Sequence, residues 1–122
     1  MRWLLHGNLN PAVGEALRRH KHDTKTPADI SLTDQTPPID VVKAAHKHQL
    51  DVITPDPSIA QSLAESKWNF DRSIVFLQLE GGDVEQDDAI DRLFARYKRL
   101  TPGRLYTVTA SRVKVRQLPN QV

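Results

Sequence analysis

Ser73-Ile74-Val75-Phe76-Leu77-Gln78-Leu79 is nearly continuously apolar. A strand with one wet face alternates apolar and polar residues, whereas a strand covered on both faces has no need to. The segment therefore predicts a central strand in a sheet flanked by helices. Downstream, Val84–Leu100 carries Ile90, Leu93, Phe94 and Tyr97 on one stripe and reads as a long helix. Upstream, Asp51–Thr54 reads as a short strand, and Ser58–Ser66 as a helix with Ile59 and Leu63 inward. Further back lie a helix over Ile39–His48 (Val41, Val42 and Ala45 inward), a helix over Pro11–His22 (Val13, Ala16 and Leu17 inward) and a strand over Arg2–Leu5. Asp23–Asp34 is polar with little periodicity and leaves room for a short strand or turn. Strands alternating with helices imply an α/β fold with a mostly parallel sheet, because parallel neighbours need crossover connections. At the C-terminal end, Leu105–Thr109 and Arg112–Arg116 flank Ala110-Ser111 and read as a β-hairpin, an antiparallel addition to that sheet.

A chain of 122 residues fits one domain, residues 1–122, with a core that needs no covalent staple. Cysteine is absent, which excludes disulfides, zinc–thiolate sites and thiol catalysis and agrees with a cytoplasmic location. No apolar run approaches the roughly 20 residues of a membrane helix, so no membrane partner is expected. Met1–His6 is too short an apolar run for a signal peptide. The net charge of +2 identifies no partner, but its distribution is uneven. Glu80, Asp83, Glu85, Asp87, Asp88 and Asp91 follow one another with no intervening base, and beyond Asp91 the charged side chains are all Lys or Arg. In the last strand Arg112, Lys114 and Arg116 alternate with Val113 and Val115, giving a basic face and an apolar face. The basic face suits phosphate binding, and equally the protection of an exposed sheet edge from aggregation.

Helix starts follow one rule. Asn10-Pro11, Thr36-Pro37 and Asp56-Pro57 each set a capping residue before proline, which tolerates the first helical position because it has no N–H to satisfy. Asp83 with Gln86 reads as a capping box for the long helix.

In open α/β sheets, ligands bind beyond the carboxyl ends of the strands, where strand order reverses. Two strand-to-helix junctions carry polar groups there, Leu5-His6-Gly7-Asn8-Leu9-Asn10-Pro11 and Ile53-Thr54-Pro55-Asp56-Pro57-Ser58. If both helices start at the same sheet edge, His6, Asn8, Thr54 and Asp56 approach one another, with Asp40 in the next helix within reach. Each has a plainer role: Asp56 as a helix cap, Asp40 as a partner of the helix dipole, His6 as a hydrogen-bonded, partly buried ring. Other constellations fail. In His20-Lys21-His22 and His46-Lys47-His48 the imidazoles are two residues apart and point to opposite sides of a helix. Gly81-Gly82 lacks the context of a nucleotide-binding loop.

Taken in order, these junctions and the tail resemble the small bacterial PIN-like domains, a branch of the PIN ribonuclease superfamily related to toxin–antitoxin toxins. The stretches that carry the resemblance are Leu5–Pro11, Lys21-His22-Asp23, Asp40–Ala45, Ile53–Ile59, Gly103-Arg104-Leu105, Val108-Thr109, Arg112–Arg116 and Leu118-Pro119. The resemblance covers nearly the whole chain and implies a three-layer, Rossmann-like fold. It also implies a carboxylate cluster holding Mg²⁺ or Mn²⁺ and activating water to cleave RNA, since hard cations take oxygen ligands. The departures fall on that cluster. The first two family acids correspond to His6 and Gly7, the acid at the second helix start falls at Pro37 or Pro38, and the second Asp of the later motif corresponds to Ser58. Asp56 remains, with Asp40 as a candidate substitute and Asn8 as a retained polar member.

Two expectations follow from the resemblance and its departures. In the first, the domain has lost or nearly lost hydrolysis and acts by binding RNA or an antitoxin-like protein, with Asn8, Thr54, Arg112, Lys114 and Arg116 as contacts. In the second, it is a metal-dependent ribonuclease, the toxin of a toxin–antitoxin pair, with His6, Asp40 and Asp56 as catalytic residues, Asp40 and Asp56 holding Mg²⁺ or Mn²⁺. The resemblance also suggests a homodimer.

Overall fold

The computed structural model describes residues 1–66 and 68–118. Pro119, which closes the Leu118-Pro119 motif, lies outside the described residues. The strands are β1 (Arg2–Leu5), β2 (Asp23–Lys25), β3 (Asp51–Thr54), β4 (Ile74–Gln78), β5 (Arg104–Thr109) and β6 (Val113–Gln117). The helices are α1 (Pro11–Arg19), α2 (Pro38–Lys47), α3 (Ser58–Ser66) and α4 (Asp83–Arg96), with a 3₁₀ turn at Pro27–Ile30. One sheet holds every strand in the order β2-β1-β3-β4-β5-β6. All neighbours are parallel except β5 and β6, which form the expected antiparallel hairpin.

Alternation along the central strands builds two cores. Trp3, Ile53, Val75 and Leu77 point to one face and meet Val13, Ala16 and Leu17 of α1 and Ile90, Leu93 and Phe94 of α4. Leu4, Val52 and Ile74 point to the other face and meet Val41, Val42 and Ala45 of α2 and Ile59 and Leu63 of α3. The molecule is thus an α/β sandwich of three layers, consistent with a Rossmann-like arrangement. Among the described residues no helix is long and apolar enough to cross a membrane.

The polar stretch after α1 does form a strand. Helix α1 stops at Arg19 rather than His22 because Lys21 takes a left-handed conformation (φ 66°), turning the chain into β2 beside β1. His22 then accepts the Trp3 indole N–H at Nδ1, 3.0 Å away. Helix α4 also ends early. Tyr97 turns extended and packs edge-on against Tyr106, with ring centroids 5.4 Å apart.

The capping bond expected before proline forms at two places, with Pro11 opening α1 while α3 begins one residue after Pro57. Asn10 Oδ1 accepts from Ala12 N–H (2.8 Å), and Asp56 Oδ1 from Ser58 N–H (2.9 Å). Thr36 does not cap α2; its hydroxyl accepts from Thr33 N–H (2.9 Å), and Pro37 occupies the cap position without a side-chain bond. The Asp83–Gln86 box does not form either. Asp83 accepts from Asn10 Nδ2 (2.9 Å), and the Gln86 amide donates to Gly81 C=O (3.2 Å). A capping box is present instead at Thr26 and Asp29, over the 3₁₀ turn.

At the amino ends of β3 and β4, the buried carboxylate of Asp51 accepts from Ser73 N–H (2.8 Å) and from Arg72 (3.3 Å). Burial pushes the Asp51 carboxyl up, against the pull of these two donors.

Candidate ligand site at the strand switch point

From β1 the chain crosses to β2 on one side, then returns past β1 to β3 and continues outward to β4 and β5. The direction of winding reverses between β1 and β3, so their carboxyl ends splay apart and leave a crevice. His6 and Thr54 sit there. The His6 backbone N–H donates to Ile53 C=O (3.0 Å), extending the ladder by one residue. This puts His6 Nδ1 2.8 Å from Thr54 Oγ1. Thr54 is buried, and its hydroxyl oxygen also accepts from Asp56 N–H (3.0 Å). Asp56 in turn accepts Ser58 N–H at the start of α3. The result is one chain of bonds from His6 through Thr54 to Asp56 and the helix.

Gly7 makes the close approach of the two junctions achievable. It has φ +82°, and a Cβ there would meet Pro55 Cδ at 3.2 Å and Thr54 Oγ1 at 3.4 Å. Burial lowers the His6 pKa, against the charge of Asp56, which raises it. The Ser58 N–H, foremost, holds Asp56 below the usual carboxylate range. At neutral pH the site therefore presents a neutral imidazole, a hydroxyl and one carboxylate already engaged in capping.

The sequence-derived site residues separate into groups. His6, Thr54 and Asp56 converge. Asn8 opens onto the other side of the junction, lining a cavity of about 380 Å³ with Pro55 and Gln86. Asp40 is exposed in the first turn of α2, and its side chain makes no hydrogen bond or ion pair among the described residues. Arg112, Lys114 and Arg116 lie on or beside β6, at the far edge of the sheet. His6 instead shares a cavity of about 310 Å³ with Thr26, Leu32, Thr33 and Asp34. Sequence reasoning missed Asp34 because it belongs to the aperiodic segment, where nothing aims it at His6. A further depression of about 670 Å³ lies along the start of α4 near Ala110, away from this network.

A hard divalent cation requires several convergent oxygens. The switch point does not fit one: His6, Asp40 and Asp56 do not draw together. Among the described residues only Asp87, Asp88 and Asp91 on α4 come close enough to share an ion. Two of these already pair with α1, Arg19 reaching Asp87 at 2.7 Å and Asp91 at 3.1 Å, and His20 reaching Asp91 at 2.8 Å. This cluster fastens α1 to α4 and lies on the helix rather than at the strand ends. Comparison of the chain with protein-family models, with curated proteins and with solved structures finds no match.

Proposed function

We propose that the chain is a PIN-like domain without hydrolytic activity that binds RNA. The single observation that carries this reading is the state of Asp56. Its carboxylate, the one family acid clearly retained, caps α3 through Ser58 N–H (2.9 Å), while Asp40 stands apart on the surface. One engaged carboxylate and one neutral imidazole make a poor seat for Mg²⁺ or Mn²⁺. They make a good set of hydrogen-bond partners at a crevice where α/β sheets take ligands. Support for RNA comes from the order and spacing of the motifs shared with PIN-like domains and from the exposed bases of the β6 edge, which supply phosphate contacts.

The test uses the purified chain with end-labelled single-stranded RNA, in Mg²⁺ and in Mn²⁺, over a range of salt. The expected result is intact RNA and binding that weakens steeply as salt rises. Metal-stimulated cleavage that disappears in Asp56→Ala overturns the reading in favour of an active ribonuclease built on His6, Asp40 and Asp56.

A further inference from the structure

The sheet is covered unevenly. On the face occupied by α2 and α3, the strand register aligns Leu4, Val52, Ile74, Leu105 and Arg116 in one cross-strand row. The first three are buried under the helices, Leu105 is half-buried, and Arg116 is exposed. Two residues further toward the strand switch point, the next row on the same face runs Thr54, Phe76, Thr107 and Lys114, with His6 bonded to Thr54 at its end. Beyond that lie Gln78, Thr109 and Arg112. Leu118, just past β6, still joins the core beneath α2 and α3, but Arg116, Lys114 and Arg112 on the same face do not, so the cover thins out toward the switch point.

Phe76 is the anomaly in this row. Its strand neighbours Ile74, Val75 and Leu77 all belong to a core, but Phe76 is partly exposed and joins neither. A single exposed aromatic needs no explanation. This one, however, lies two strand spacings, about 10 Å, from Lys114, with Thr107 between them in register. From β4 to β6 the face carries no acid. Among the described residues Arg112, Lys114 and Arg116 form no ion pair.

We propose that this half-open face, Phe76 with Thr107, Lys114, Arg112 and Arg116, is a platform for single-stranded RNA. One base stacks on Phe76, and the neighbouring phosphates reach the β6 cations. On the other side of Phe76 the row meets Thr54, which is buried, so the platform ends at Phe76 and is separate from the switch-point crevice. Stacking on an aromatic of an exposed sheet, flanked by bases that follow the backbone, is a general mode of single-strand recognition. Duplex RNA hides its base faces and cannot use it. The inference rests on the RNA-binding reading and adds to it the surface and the form of the ligand.

The experiment measures fluorescence anisotropy of a labelled ten-nucleotide oligouridylate with the full chain, against oligothymidylate and duplex RNA. Phe76→Leu is expected to weaken oligouridylate binding about tenfold, with the salt slope unchanged. Replacing Arg112, Lys114 and Arg116 with Gln is expected to flatten the slope of log affinity against log salt by about 2, at about 0.7 per phosphate contact on a single strand. Thr107→Glu places an acid in the middle of the platform without touching a core and is expected to abolish binding, so the outcome does not depend on the stability of the Phe76 variant. Photocrosslinking of 5-iodouridine RNA is expected to map to Phe76. If wild type binds RNA and neither Phe76→Leu nor Thr107→Glu weakens it, this face is wrong while the RNA-binding reading stands. If duplex RNA binds as tightly as the single strand, stacking is refuted. If DNA binds as tightly as RNA, the platform reads single strands without regard to the sugar and the assignment to RNA fails. If no oligonucleotide binds wild type, both readings fall.

Discussion

Thr54→Val removes one hydroxyl from a buried position and keeps the shape of the side chain. That oxygen serves two partners, His6 Nδ1 at 2.8 Å and Asp56 N–H at 3.0 Å. A hydrogen bond contributes a net ~0.5–1.5 kcal/mol, and a buried polar group left unmatched costs ~1–3 kcal/mol. Two partners lose their match here, both partly wet at the crevice, and the added methyl recovers less than about 1 kcal/mol. The expected loss is about 2 kcal/mol. With a urea slope of roughly 1–3 kcal/mol/M for a chain of this size, the midpoint falls by about 1 M. Urea unfolding followed by circular dichroism measures it, and nitrogen NMR of the imidazole reports whether the proton distribution between Nδ1 and Nε2 changes. Thr54→Ser, which keeps the hydroxyl and loses only a methyl, is the matched control and should cost about 1 kcal/mol. A valine variant within about 0.5 kcal/mol of wild type, or a serine variant less stable than the valine one, would show that packing rather than the hydroxyl holds the two junctions together.

Protonation of His22 conflicts with its acceptance of the Trp3 indole N–H, and burial, the N-terminal ammonium and His20 together lower its pKa to about 4. The unfolded chain binds that proton near pH 6.5, so stability is complete above pH 6.5 and declines as pH falls toward 4. The loss is about 1–2 kcal/mol after allowance for the ring's partial exposure; thermal unfolding from pH 7 to 4 should show this slope, and His22→Gln should flatten it. Arg72→Met leaves the buried Asp51 carboxylate without its cation and is expected to cost about 2 kcal/mol in chemical unfolding, with Asp51→Asn in the same chain recovering part of it. Gly7→Ala forces a side chain into a left-handed conformation against Pro55 and is expected to cost about 1–2 kcal/mol by urea unfolding.

The fold was legible where the physics is local. Continuous apolarity in Ile74–Leu77 announced a strand covered on both faces, and the 3.6-residue stripes of α1, α2 and α3 announced their inward sides. Asn10 and Asp56 each accept from the N–H two residues on, as their position before proline suggests, whereas Thr36 accepts from Thr33 N–H; α2 and α3 both begin one residue after the expected proline. Strand β2 carries no apolar signal in its Asp-Thr-Lys, and its place is set by backbone pairing with β1. At the candidate site, His6, Thr54 and Asp56 were legible because both junctions end neighbouring parallel strands. Among the described residues Asp40 and Asn8 take no part in that hydrogen-bond chain, since helical phase and the choice of sheet face are set by tertiary packing. Asp34 left no trace in the sequence pattern. Phe76 was legible as part of an apolar strand, while its separation from both cores depends on where α3 stops covering the sheet.

The Trp3–His22 pair also gives the molecule an optical gauge of its own. The indole is fully buried, with the imidazole ring centroid 6.3 Å away. An imidazolium quenches indole emission by accepting an electron from the excited ring, whereas a neutral imidazole does so far less. The other indole, Trp68, lies against His46 with ring centroids 5.0 Å apart, so in a Trp68→Phe chain acid dimming reports on one proton at the seam between β1 and the end of α1, with no label attached.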